Sequence, residues 1–152
     1  MEPGAPPPPD YAAPGLGRRA LSMLYEALLA FAIALFSGLA FYGAAEGRLS
    51  GEARLLFQAY LFLVFGIYFI ACWSRGGRTL AMQTWKIRIV GREGAPIGAS
   101  RAALRYVLAW ISLLPLGAGF LWAFVDRDGQ FLHDRLAGTR MVIFAPPTTS
   151  SA

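Results

Sequence analysis

The chain holds one cysteine and one histidine in 152 residues. The lone cysteine, Cys72, excludes an intrachain disulfide, and its place inside an apolar run makes it a core residue. The lone histidine, His133, excludes a histidine-based metal cluster and several catalytic arrangements at once. No nucleophile with a nearby base is recognisable either. The expectation is no enzyme activity, no bound metal and no cofactor. Charge is scarce as well: charged residues are 15% of the chain, against about a quarter in soluble domains. With a mean hydropathy of +0.47, this composition is that of a membrane protein whose first partner is the lipid bilayer. The net charge is +5, but the basic residues flank apolar runs and do not form a patch interleaved with polar readers. Nucleic acid is therefore excluded as a partner.

What the chain has is long apolar runs. Ala20 to Tyr42 is interrupted by a single charge, Glu26. A helix rises about 1.5 Å per residue and the hydrocarbon core is roughly 30 Å thick, so a run of this length spans a bilayer. Arg18 and Arg19 stand at its entrance. The pair superficially matches a twin-arginine export signal, but basic residues beside a membrane helix set orientation. A cleaved signal peptide is excluded by the length of the run and by Glu26. On a helix, Arg19, Ser22 and Glu26 share one stripe, with Glu26 about 10 Å deeper than Arg19. A carboxylate there must face protein, water or a cation, and Arg19 is the expected partner. Ala30, Ala34 and Gly38 form a small-residue track for close approach of a neighbouring helix. Residues 1–17 are proline-rich, carry no basic residue, and are expected to be disordered, as is the tail 145–152.

A polar link, Gly43 to Arg54, leads to Leu55–Trp73, 19 residues without a charge, which predicts a second transmembrane helix. From Ser74 to Arg105 the chain carries seven basic residues against one acid, Glu93. Positive charge stays in the cytoplasm, and two intervening spans put the N-terminus there too. Within this loop Trp85–Val90 alternates apolar and basic residues, Gly91–Gly94 turns, and Ala95–Ile97 returns: a short β-hairpin. Tyr106 to Val125 gives 20 apolar residues broken by Pro115, Gly117 and Gly119. That segment either spans or re-enters toward the cytoplasm. The strand-like run Thr139–Phe144 resembles Lys86–Val90, and pairing of the two requires both on one side, which favours the return. The fold class is thus an all-α integral membrane protein with two transmembrane helices, a third broken apolar helical segment and a small cytoplasmic β-hairpin.

Polar groups concentrate again in the stretch from Asp126 to Arg140. Its acids lack the spacing of an EF-hand loop, and His133-Asp134 has no further histidines with which to build a phosphohydrolase metal site. Asp134 is expected to cap a helix or to pair with an arginine.

Taken together, Gly17-Arg-Arg19 opening a span with an internal acid, Arg75-Gly-Gly-Arg-Thr-Leu80 leading into Trp85–Val90, and Leu132-His-Asp-Arg-Leu-Ala-Gly-Thr-Arg140 resemble the RDD family of bacterial membrane proteins. The likeness covers Gly17 to Phe144 and defines a domain at residues 18–144. The resemblance implies that the family's arginine and two aspartates correspond to Arg19 (or Arg18), Glu26 and Asp134, with Arg75, Thr79, His133, Arg135 and Thr139 in support. Glu26 departs from the pattern by one methylene, and Ala81-Met82 stands where many members have Gly-Lys. For function the resemblance implies transport of an unidentified small ligand, or of a cation or proton, by a homo-oligomer or with another membrane protein in the inner membrane. The alternative is a non-catalytic adaptor or scaffold that holds anionic lipid or a protein through the basic loop.

Overall fold

A computed structural model of the chain describes residues 13–45, 51–113, 121–126 and 130–143. The proline-rich stretch 1–12, the break at Pro115–Gly119 and the tail 145–152 lie outside the described residues. Two long helices dominate, α1 (Leu16–Ala44) and α2 (Gly51–Gly76). Their 29 and 26 residues correspond to about 43 and 39 Å, more than the hydrocarbon core requires. Their apolar side chains point outward: Leu28, Phe31, Phe36, Leu55, Leu63 and Ile67 are all exposed. That separates them from the core helices of a water-soluble domain, whose apolar faces are covered.

The two helices run antiparallel. At one end Phe41 meets the rings of Phe57 and Tyr60, and Gly38 lies against Phe57. At the other, Glu26 meets Tyr68. Of the small-residue track, Gly38 meets α2 at Phe57, as expected for a small residue at a helix contact, and Ala30 and Ala34 are half-buried.

Beyond α2 the chain builds a small head. A short helix, α3 (Leu80–Thr84), leads to strand β1 (Ile87–Gly91); α4 (Ala99–Leu113) runs back along α2; α5 (Leu132–Ala137) and strand β2 (Thr139–Ile143) complete it. The core of the head is Trp73, Met82, Ile87, Ile89, Ile97, Ala102 and Tyr106. α4 buries Ala102, Arg105, Tyr106 and Ser112 along one stripe. Tyr106 fixes it to α2, donating from its hydroxyl to the Phe62 carbonyl at 2.7 Å.

The expected β-hairpin does not form. β1 pairs antiparallel with β2, with Ile87 opposite Ile143 and Gly91 opposite Thr139. The chain does turn after β1, where Gly91 and Ala95 are joined by a backbone hydrogen bond of 2.8 Å, but residues 95–98 adopt no strand. Pro96 cannot donate to a ladder, and β2 offers the β-branched Thr139, Val142 and Ile143 in its place. The fold is therefore mostly helical with one two-stranded sheet. That sheet brings residues 139–143 to the same end of the molecule as β1.

Gly77 is the joint between α2 and the head. It has φ +66, its carbonyl accepts from Ile89 N–H at 2.6 Å, and a Cβ there would lie 2.7 Å from the Ile89 carbonyl oxygen. Gly77→Ala is expected to cost on the order of 1–3 kcal/mol through the left-handed backbone and the clash. Thermal unfolding of the detergent-solubilised protein checks this, and an unchanged midpoint would contradict it.

Candidate functional site

Glu26 is held by two hydroxyls and not by an arginine. Thr79 donates from Oγ1 to Oε2, and Tyr68 donates to Oε1 at 3.3 Å. Thr79 is fully buried and caps α3, its oxygen also accepting from Met82 N–H at 3.3 Å. One threonine of the Arg75–Leu80 motif thus starts α3 and ties the acid of α1 to the head. The expected Arg19–Glu26 pair is corrected accordingly: among the described residues Glu26 has no ion pair. A neutral hydroxyl is the cheaper neighbour for a half-buried carboxylate, because no second ion has to be stripped of water.

The buried ion pair of the head is Arg105 with Asp134. Arg105 Nε donates to Asp134 Oδ1 at 2.7 Å, and both side chains are buried. The guanidinium also lies over the Trp73 ring, 4.1 Å from its centroid, a cation–π contact strengthened by exclusion of water. Thr139 Oγ1 adds a 3.2 Å bond to the same carboxylate oxygen. Asp134 thus pairs with an arginine, as one of its two expected roles had it. The helix-capping role is not the one it takes, since Phe131 occupies the N-cap of α5.

Arg19 is buried at the start of α1, its guanidinium 5.9 Å from the Phe131 ring. The acids that act on it electrostatically are Asp134 and Asp126, so it belongs to the Asp134 side of the site. Phe131 in turn stacks on His133, with ring centroids 5.5 Å apart. Burial pushes the His133 imidazole down to about 4, so the ring is neutral near pH 7. Asp126 accepts from Gln130 N–H at 2.9 Å and from Arg135, which makes Arg135 a clasp for this turn. Arg18 and Arg75 are exposed and line none of the space described next.

Arg19, Ser22, Glu26, Arg105 and His133 line one cavity of about 360 Å³. Its remaining walls are apolar: Phe65, Phe69 and Trp73 of α2, Met82, Ile87, and Tyr106, Ala109, Trp110 and Leu113 of α4. The size falls within the roughly 300–1,000 Å³ of small-molecule sites. No three His, Cys, Asp or Glu side chains come together among the described residues in a way that could hold a metal. The shared stripe of Arg19, Ser22 and Glu26 was legible in the sequence; Arg105, Trp73 and Tyr68 were not singled out. The signal for Arg105 was its spacing with Ala102, Tyr106 and Ala109, which puts an arginine on the buried stripe of a helix.

Two outcomes are expected. Asp134→Asn leaves Arg105 buried without its counter-charge and is expected to destabilise by about 3–5 kcal/mol, whereas Arg105→Met with Asp134→Leu recovers most of the loss; thermal unfolding in detergent measures both. For His133, the folded value lies below the unfolded one of about 6.5, so the unfolded state binds the proton more readily. Stability is then fully present above about pH 6.5 and is lost as pH falls toward 4, by roughly 3 kcal/mol. His133→Phe keeps the stack on Phe131 and is expected to flatten that part of the pH–stability curve.

Compared with known proteins, the chain finds no match among curated sequences or among solved structures. The RDD family model matches residues 13–138, which takes in α1, the Thr79 motif, Arg105 and the His133-Asp134 pair. With two outward-facing apolar helices long enough to cross a bilayer and this match over most of its length, the chain is a membrane protein and belongs to the RDD family.

Proposed function

We propose that the protein binds a small ligand in the cavity between α1, α2 and α4 and moves it across the bacterial inner membrane, working as a homo-oligomer and without catalytic chemistry. The observation that carries this reading is the convergence of Arg19, Glu26, Arg105 and His133 on one otherwise apolar cavity. Ionisable residues at membrane depth are costly and mark ligand sites. A ligand is favoured over a bare cation or proton because both Glu26 oxygens already accept hydrogen bonds, and because the space far exceeds an ion. Two spans are too few to enclose a pathway, hence the oligomer. The seven basic residues of 74–105 against one acid favour a cytoplasmic head and N-terminus.

The adaptor reading has its own support. Arg75, Lys86, Arg92 and Arg101 are exposed at the head end, where anionic lipid contributes roughly 1 kcal/mol per basic residue.

A cysteine at Ser22, on the cavity wall and buried, separates the two. In a Cys72→Ala background, Ser22→Cys is expected to react with a charged, membrane-impermeant thiol reagent in both right-side-out and inside-out vesicles, while Ser100→Cys reacts in one only. Labelling of Ser22→Cys from one face, or from neither, would leave the adaptor. Sodium and proton flux into proteoliposomes is expected to be at background for wild type and Glu26→Gln alike; a flux that Glu26→Gln abolishes would restore a cation pathway.

A further inference from the structure

The cavity is graded from one end to the other. α2 runs antiparallel to both α1 and α4, which sets Trp73 beside Arg105 and places Glu26 near Tyr68 at the head end. From there the α4 wall passes through Tyr106, Ala109 and Trp110 to Leu113, about 12 Å along the helix. All the charges lie at the head end. The other half is apolar, and its rim residues Trp110 and Leu113 are exposed.

The charged end also has more donors than acceptors. Arg105 is 2% exposed and Trp73 4% exposed, and both line the cavity. Among the described residues, the hydrogen bonding of Arg105 stops at Nε, on Asp134, while a guanidinium has four further N–H groups on its terminal nitrogens. The Trp73 indole N–H has no acceptor among them either. The acids nearby are engaged: Glu26 accepts at both oxygens, from Thr79 and Tyr68, and Asp134 accepts from Arg105 and Thr139 at Oδ1. A buried guanidinium whose terminal N–H groups lack acceptors is expensive, and what satisfies it is an acceptor-only group carrying negative charge.

We propose that the site takes a single-chain amphiphile with an anionic head, carboxylate or phosphate. The Arg105 fork receives the head, Arg19 adds its charge, and the chain lies against Phe65, Tyr106, Trp110 and Leu113. The proposal rests on the ligand-binding reading of the cavity given above and names the ligand class. Terminal guanidinium nitrogens suit planar carboxylate and phosphate oxygens equally, so a free fatty acid and a lysophospholipid share the chemistry.

Tryptophan fluorescence reads this directly, because Trp73 and Trp110 line the cavity. The full chain carrying Trp85→Phe and Trp122→Phe, in nanodiscs, is titrated with dibromostearate, a dibrominated lysophosphatidate, dibrominated stearyl alcohol and dibrominated stearylamine. Saturable quenching is expected from one or both anions, at concentrations about tenfold or more below those of the alcohol and the amine; which anion is preferred identifies the source. Arg105→Lys keeps a cation for Asp134 but removes the fork, and is expected to abolish that preference with unfolding temperature retained. Ala109→Phe fills the apolar half and is expected to remove the saturable component altogether. Quenching blind to head charge, or unaltered in a folded Arg105→Lys or in Ala109→Phe, overturns the proposal. Charge-blind quenching with Ser22→Cys labelled from both faces would leave transport standing without this ligand; charge-selective quenching with labelling from one face would leave the ligand site standing without transport.

Discussion

The pairing of Arg105 with Asp134 is the constraint on which the head of this protein depends. An arginine buried to 2% exposure is tolerable only with its charge compensated, and the compensating acid comes from a segment 29 positions later in the chain. Bringing that acid to α4 fixes where α5 sits, and Gly138, with φ +67 at the end of α5, turns the chain into β2. Thr139, the first residue of that strand, bonds to the same carboxylate. The position of β2 against β1 is thus specified twice, by the sheet register and by the ion pair. A one-residue slip would turn Thr139 and Met141 to the opposite face and take Thr139 from Asp134.

A second, independent tie joins the head to the membrane helices. Glu26 lies on α1, Tyr68 on α2, and Thr79 on the link between α2 and α3, so the carboxylate gathers three pieces of backbone. Because Thr79 both caps α3 and donates to Glu26, loss of the acid would be felt in the orientation of α3 and hence of Met82, a wall of the cavity. A hydroxyl at the end of a short side chain adapts readily to the reach of the Glu26 carboxylate, where a bidentate arginine contact would be less forgiving.

The parts legible in the sequence are those governed by local quantities. Run length and hydropathy located α1 and α2, and the step of three and four residues correctly placed Arg19, Ser22 and Glu26 on one face. Pairing across long separations was legible only in part. Lys86–Val90 carried a strand signal and the similar run Thr139–Phe144 was raised as its partner, which is the pairing that forms, whereas the adjacent Ala95–Ile97, expected to return as the second arm of a hairpin, forms no strand. Strand β1 is buried on nearly its whole length, so it needs a partner with apolar residues of its own, and Val142 and Met141 supply them. Glu26 was misassigned for a similar reason. Arg19 was the nearest opposite charge along the helix, yet Thr79, 53 positions away, is nearer in space. Arg105 was hidden among basic residues that explain themselves by orientation alone, and only its place on the buried stripe of α4 distinguishes it.

The emptiness of the space between α1 and α4 is itself informative. Both helices pack on α2, and the walls they turn toward one another include Ala27, Ala30 and Ala109. Leucine at such positions would bury several more methylenes, each contributing about 0.8 kcal/mol, and would close the gap at no cost to the ties at Glu26 and Asp134. In lipid the helices gain most from close mutual packing, so a chain whose spans had only to anchor a basic head would be improved by filling this volume. Small residues on the walls, with a buried guanidinium at one end, are what the proposed ligand site requires of this cavity.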